Sequence, residues 1–158
     1  MQRVEVELDH GDVAYDLHSM IKRSVSLAIH DASRPGEVLL VQRPHDDEDL
    51  PLVWGLPAAS LTAHESWEDA VLRAGRDKLG VTLEAGGMLR AGSLQRAEYV
   101  LEMRLYEARI VSGAPSVPMD VAGVTQYADW RWDSPAALED AAVRGSLCSR
   151  LYLEQLRG

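Results

Sequence analysis

Hydrophobic positions along this chain change period several times, and each change marks an element. From Ser24 to His30, Val25, Leu27 and Ile29 alternate with Ser24, Ser26 and Ala28, the two-residue period of a half-buried strand. The turn Ser33-Arg34-Pro35-Gly36 leads into Val38-Leu39-Leu40-Val41, a continuous apolar run that suits a strand covered on both faces. The two strands are expected to pair as a central hairpin. His45 to Pro51, with four acids, has no core-facing pattern and reads as an exposed loop before Val53-Trp54.

The period then lengthens. Ser66 is placed to cap a helix running through Leu79, with Glu68 and Asp69 in the first turn, where the helix dipole favours acids, and Gly80 at the stop. A strand is expected between Thr82 and Leu94. Another follows from Tyr99 to Ile110, where Tyr99, Leu101, Met103 and Leu105 alternate with Glu102, Arg104 and Tyr106. Gly113 to Gly123, with Pro115 and Pro118, reads as a loop crossing the sheet edge. A strand from Tyr127 to Trp132 precedes Ser134-Pro135, which starts a helix over Ala136 to Val143. Gly145 separates this from a last amphipathic helix, Leu147 to Leu156. Interspersed helices and strands with hairpin-like spacing predict an α/β sandwich with a mixed sheet rather than a regular βαβ alternation.

At 158 residues, 46% of them hydrophobic, the chain fits one domain spanning 1–158, and a chain of this size hides roughly two-thirds of its unfolded surface on folding. No apolar run approaches membrane-spanning length, and acids near the start stand where a signal peptide needs a basic segment and an apolar stretch, so no membrane partner and a cytoplasmic location are expected. With 25 acids against 16 bases, a formal charge of −9 disfavours polymeric nucleic acid, whose nonspecific binding depends on basic side chains displacing counterions. A single cysteine, Cys148, excludes an internal disulfide and a cysteine-based zinc site, and reads as a small core residue.

The candidate chemistry lies in Trp54 to Val81, WGLPAASLTAHESWEDAVLRAGRDKLGV. Glu65, Arg73, Gly80 and Val81 fall at the spacing of a box in which a loop glutamate and a helix arginine are followed by glutamates three and four residues apart, which share one helix face. The stretch resembles the box of the Nudix hydrolases. That resemblance implies a Nudix-like α/β/α sandwich and hydrolysis of the pyrophosphate bond in a nucleoside diphosphate linked to another moiety. In the family register Ala59 stands at the first glycine, Gly75 at a hydrophobic position, and Ala74, Asp77 and Lys78 at three glutamates.

Family chemistry of this kind uses Mg²⁺ or Mn²⁺ held by several carboxylates, which neutralise phosphate charge and position a water. The implied metal set here is Asp77, the Ala59 carbonyl and a carboxylate from outside the box, Glu102 or Glu98. Asp77 is also the candidate base. Glu65 and Arg73 are further catalytic candidates, although the plainer reading is the family's pair that holds loop to helix; Asp69 and Asp77, four residues either side of Arg73, are alternative partners. Glu102 and Arg104 are expected on the polar, cleft-lining face of their strand, and Arg43, at a strand end, can meet a phosphate. Lys78 supplies a cation where the family places an acid, so an anionic ligand can bind without metal; the plainer reading is an exposed helix-end lysine near the negative end of the dipole. Trp130 and Trp132 share a face and read as core. Three alternatives stay open: a hydrolase with a divergent metal site, a noncatalytic module that needs no cofactor and binds a nucleotide or other phosphorylated small molecule, and a homodimer scaffold in which the box helix serves packing.

Overall fold

The computed structural model describes residues 20–158, so the reading of the acidic start, and the share of the single-domain reading that covers residues 1–19, lie outside the described residues. Two sheets carry the fold. The first has the order β4 (Ala58–Ser60), β1 (Ile21–Ile29), β6 (Val100–Ser112), β5 (Thr82–Gln95), and the second the order β3 (Trp54–Gly55), β2 (Val38–Gln42), β7 (Asp129–Asp133). β1 runs parallel to β6 and antiparallel to β4, which makes the first sheet mixed.

The expected hairpin is overturned. Both edges of β1 are taken, by β6 from Ile21↔Val100 to Ile29↔Ala108 and by β4 at Ser24↔Ser60, while β2 sits between β3 and β7. Nor is β1 half-buried. Ser24, Ser26 and Ala28 are as hidden as Val25, Leu27 and Ile29, so the alternation separates small from large side chains on two covered faces. The large set packs against helix α1 (Trp67–Ala74) through Ala70, Val71 and Ala74. Ala28, on the small set, joins Leu101, Met103 and Leu105 of β6 against Leu147 and Leu151 of helix α3 (Leu147–Arg157). Helices therefore cover opposite faces of a mixed sheet, the expected α/β/α sandwich. Trp130 and Trp132 both pack against the α1-side cluster.

Ser66 caps α1 as expected, its Oγ accepting the Asp69 N–H at 3.1 Å. The helix does not stay α-helical to Leu79. Gly75–Leu79 form a π-helical turn closed by Gly80, which takes the left-handed conformation at φ 70° and sends its N–H back to the Gly75 carbonyl. Such turns are rare and concentrate where a helix must re-aim side chains. Gly75 is needed for contact, because a Cβ there would lie 2.6 Å from Cγ and Cδ1 of Leu83 on β5. The apolar group expected at position 75 is supplied from β5 instead.

Further along, Pro135–Leu138 form a 3₁₀ turn before the short helix α2 (Glu139–Val143), so the helix expected from Ala136 begins three residues later. β7 likewise starts at Asp129 rather than Tyr127. No helix among the described residues is long and apolar enough to cross a membrane.

Filling the space at Gly75 should be costly. Gly75→Val is expected to lower unfolding stability by about 1–3 kcal/mol through overpacking, and Leu83→Ala in the same chain should recover part of that loss. Chemical denaturation of the two variants and the double variant measures the coupling.

Candidate functional site

A cavity of about 450 Å³ opens where β1, β4, the end of β2 and the turn between α2 and α3 converge. Five bases line it, Lys22, Arg43, Lys78, Arg96 and Arg144, against two acids, Asp47 and Asp49. In a chain of net charge −9 this is a local reversal of sign, and a concave, partly desolvated site of one sign concentrates the opposite charge.

Lys78 lines it, recessed among protein atoms with part of its surface open to the cavity. The reading of an exposed helix-end lysine is thus corrected: the π-helical turn swings the side chain inward. Nζ donates to the Ala58 carbonyl at 2.7 Å and lies 5.3 Å from the Tyr127 ring centre. Desolvation, with the charges of Arg73 and Arg43 acting in the same direction, lowers its pKa to about 8. Among the described residues Ala58 is its one hydrogen-bond acceptor, so two of the three ammonium donors remain for a ligand or water. Tyr127 braces the same peptide from below, its hydroxyl donating to the Ala58 carbonyl at 3.1 Å and accepting the Ala58 N–H at 3.0 Å, and burial pushes its pKa up to about 12.

Arg73 secures the next stretch of β4. Its Nε and Nη2 donate to Glu65 Oε2 and Oε1 at 2.8 and 2.9 Å, and Nη2 also reaches the Ser60 carbonyl at 2.7 Å. Glu65 in turn accepts the Thr62 N–H at 3.0 Å, closing the loop on itself. Burial by itself would raise the Glu65 carboxyl, but the bonds from Arg73 and Thr62 and the guanidinium charge more than offset it and hold the carboxyl below its usual range. Neither Asp69 nor Asp77 hydrogen-bonds Arg73 among the described residues. The bonds of Glu65 and Arg73 thus join loop, helix and β4.

The other expected site residues are distributed differently. Arg43 lines the cavity, tethered to Asp47 Oδ2 at 3.2 Å; Asp47 also accepts the Leu50 N–H at 2.8 Å, so the acidic loop is organised and forms one wall. Glu102 and Arg104 face away from the cavity. Glu102 pairs with Arg23 at 3.5 Å, and the Arg104 guanidinium stacks 4.2 Å over Trp67 on the α1 side, whereas Leu101 and Met103 turn to the cavity. The reason is register: Arg23↔Glu102 and Val25↔Arg104 put both on the large-residue face of β1. Asp77 meets Arg76 at 3.2 Å outside the cavity lining, and Glu98 is exposed at the β5–β6 turn. Sequence reasoning missed Lys22, Arg96, Arg144 and Tyr127, which come from four separate segments with no shared motif; Cys148, read as core, is buried and borders the cavity.

Solved structures share this fold. A Nudix hydrolase from Nitrosomonas europaea superposes with a TM-score of 0.68 at 16% identity, covering 86% of this chain and 88% of that one. A MutT Nudix hydrolase from Burkholderia pseudomallei gives 0.62 at 25% identity, over 74% and 85%. The chain belongs to the Nudix superfamily. Among curated sequences, an isopentenyl-diphosphate Delta-isomerase from Paenarthrobacter aurescens is 33% identical over 121 residues, 67% of this chain; the chain spans 58% of that relative's length. No protein-family profile matches it.

Nudix membership implies Mg²⁺ or Mn²⁺, and the residues present do not fit such an ion. Ala74 offers a methyl group to the core, Asp77 points out to Arg76, and among the described residues no group of three or more His, Cys, Asp or Glu side chains converges. Backbone oxygen is spent as well. Lys78 and Tyr127 take the Ala58 carbonyl and Arg73 takes the Ser60 carbonyl. Bonds from Leu27 N–H to Pro57 O and from Leu61 N–H to Arg23 O set the ladder phase so that Ala59, opposite Val25, directs its carbonyl to β1. A hard dication needs several oxygen ligands, and an ammonium group stands where they would gather.

Because the Glu65 pKa is depressed on folding, its contribution to stability is complete above the ordinary carboxylate pKa and is lost as pH falls through the folded value. Glu65→Gln should therefore flatten the acid limb of stability against pH below about 4.5 and cost about 1.5–3 kcal/mol near neutrality, the worth of hydrogen bonds to a charged group. Denaturant melts at several pH values measure both.

Proposed function

We propose that the pocket binds a small phosphorylated ligand directly through side-chain cations, without a divalent ion. One observation carries this reading: the Lys78 ammonium sits on the Ala58 carbonyl at a position where the Nudix pattern calls for a glutamate, facing a cavity lined by four further bases. An ammonium with free donors in a partly desolvated site gives charge-assisted hydrogen bonds to phosphoryl oxygens, and arginines add bidentate contacts. Leu56, Leu101, Met103 and Tyr127 leave an apolar flank for an organic substituent. The curated relative is named for isopentenyl diphosphate, an organic diphosphate whose chemistry suits both walls.

The hydrolase names of the solved neighbours favour a second reading, hydrolysis, for which the box resemblance implies cleavage of a pyrophosphate bond in a nucleoside diphosphate linked to another group. It calls for an ion the donor set does not fit. Divalent-dependent release of phosphate-containing products, abolished in Asp77→Asn, would establish it over the first.

Thermal shift and calorimetric titration in EDTA separate the two. A nucleoside diphosphate, isopentenyl diphosphate or inorganic pyrophosphate should stabilise the chain by mass action, and Lys78→Met should weaken binding about 10- to 100-fold, the worth of losing a hydrogen bond to charge. Binding that appears only with added Mg²⁺ or Mn²⁺ would refute the proposal. Affinity should also fall as pH rises past about 8, where the ammonium loses its proton, and Lys78→Arg should remove that fall because guanidinium stays charged.

A further inference from the structure

Lys22 reaches the cavity from β1, outside the box. It is half-buried, on the same face of the strand as Ser24, with Nζ 5.7 Å from the Tyr99 ring centre. Most bases of this chain have an acid at hand: Arg23 has Glu102, Arg43 has Asp47 and Arg144 has Asp140. Lys22, Lys78 and Arg96 have no carboxylate within ion-pairing distance among the described residues, although acids outnumber bases 25 to 16. Burial lowers the Lys22 pKa and the charge of Lys78 lowers it further; Asp49 opposes them, and Arg96 adds a smaller lowering. All three line one cavity, and Lys22 feels the charges of both Lys78 and Arg96. Like charges gathered in excess of the acids beside them, here five bases against Asp47 and Asp49, cost stability, and such costs are typical of sites shaped by a ligand rather than by folding.

We infer that Lys22 is a second anion-binding residue, acting with Lys78 on the same ligand from the neighbouring strand β1, with Arg96 in the same lining. This rests on the proposed binding of a phosphorylated ligand. Two lysines reaching the cavity from separate segments meet more than one oxygen of a multiply charged anion, and either one by itself leaves part of that charge unmet.

Titration of the full chain with inorganic pyrophosphate in EDTA, for wild type, Lys22→Met, Lys22→Arg and Lys78→Met, tests it. Lys22→Met is expected to weaken binding about tenfold or more, and Lys22→Arg to stay within about threefold of wild type. The ligand-free melting temperature of Lys22→Met should equal or exceed that of wild type, because a repelling charge is gone. A purely structural lysine would give the reverse, a lower ligand-free melting temperature with unchanged affinity, and that result overturns the inference. If wild type binds and Lys78→Met weakens binding but Lys22→Met does not, the inference fails while the proposed function stands. If wild type does not bind pyrophosphate, the proposed function fails and the inference falls with it.

Discussion

Two cations from one helix, spaced five residues apart, hold the carbonyls at the ends of β4. Lys78 takes Ala58 and Arg73 takes Ser60, while Ala59 between them is bound into the ladder with β1. With its oxygens committed in this way, the strand that should lend a backbone ligand to a metal is instead part of a rigid, positively charged wall. The Glu65 carboxylate completes the clamp by neutralising Arg73 and fastening the Thr62 N–H. Lys78 has no such acid, so one of the two cations is satisfied and the other is left facing the cavity.

That asymmetry depends on the helix end. A regular α-helix repeats every 3.6 residues, and the wider turn over Gly75–Leu79 changes where residues 77 and 78 emerge. Asp77 ends up outside with Arg76 and Lys78 inside on Ala58. Gly75 permits the turn by letting Leu83 approach within a distance no side chain would allow. Packing between a helix and a neighbouring strand thereby decides which charge the cavity receives, and backbone geometry, more than residue inventory, sets the sign of the site.

The cavity is also a meeting place of segments remote in sequence. β1 brings Lys22, the loop after β2 brings Arg43 and Asp47, the β5–β6 turn brings Arg96, and the α2–α3 connection brings Arg144 and Cys148. Each contribution is ordinary by itself. Their convergence reverses the local field of an acidic chain, and low-dielectric walls strengthen that field relative to open water.

Hydrophobic period and capping chemistry were legible without coordinates: Ser66 as the cap, Gly80 as the stop, the strands near Thr82 and Tyr99, and the family resemblance resting on Glu65 and Arg73. Those features are local, so neighbouring residues encode them. The β1–β2 hairpin was misread because alternation in β1 reports size on two buried faces, a distinction that only the element packed on the second face creates. Glu102 and Arg104 were assigned to the wrong side because a period of two says that faces alternate and never which face meets a cavity; the register with β1 decides that. Residue order by itself determined that a lysine replaces a box glutamate. Tertiary structure alone decided that this lysine points inward onto a carbonyl among other bases, because the burial and long-range neighbours that fix its charge and direction come from remote chain segments, Ala58 and Tyr127 among them.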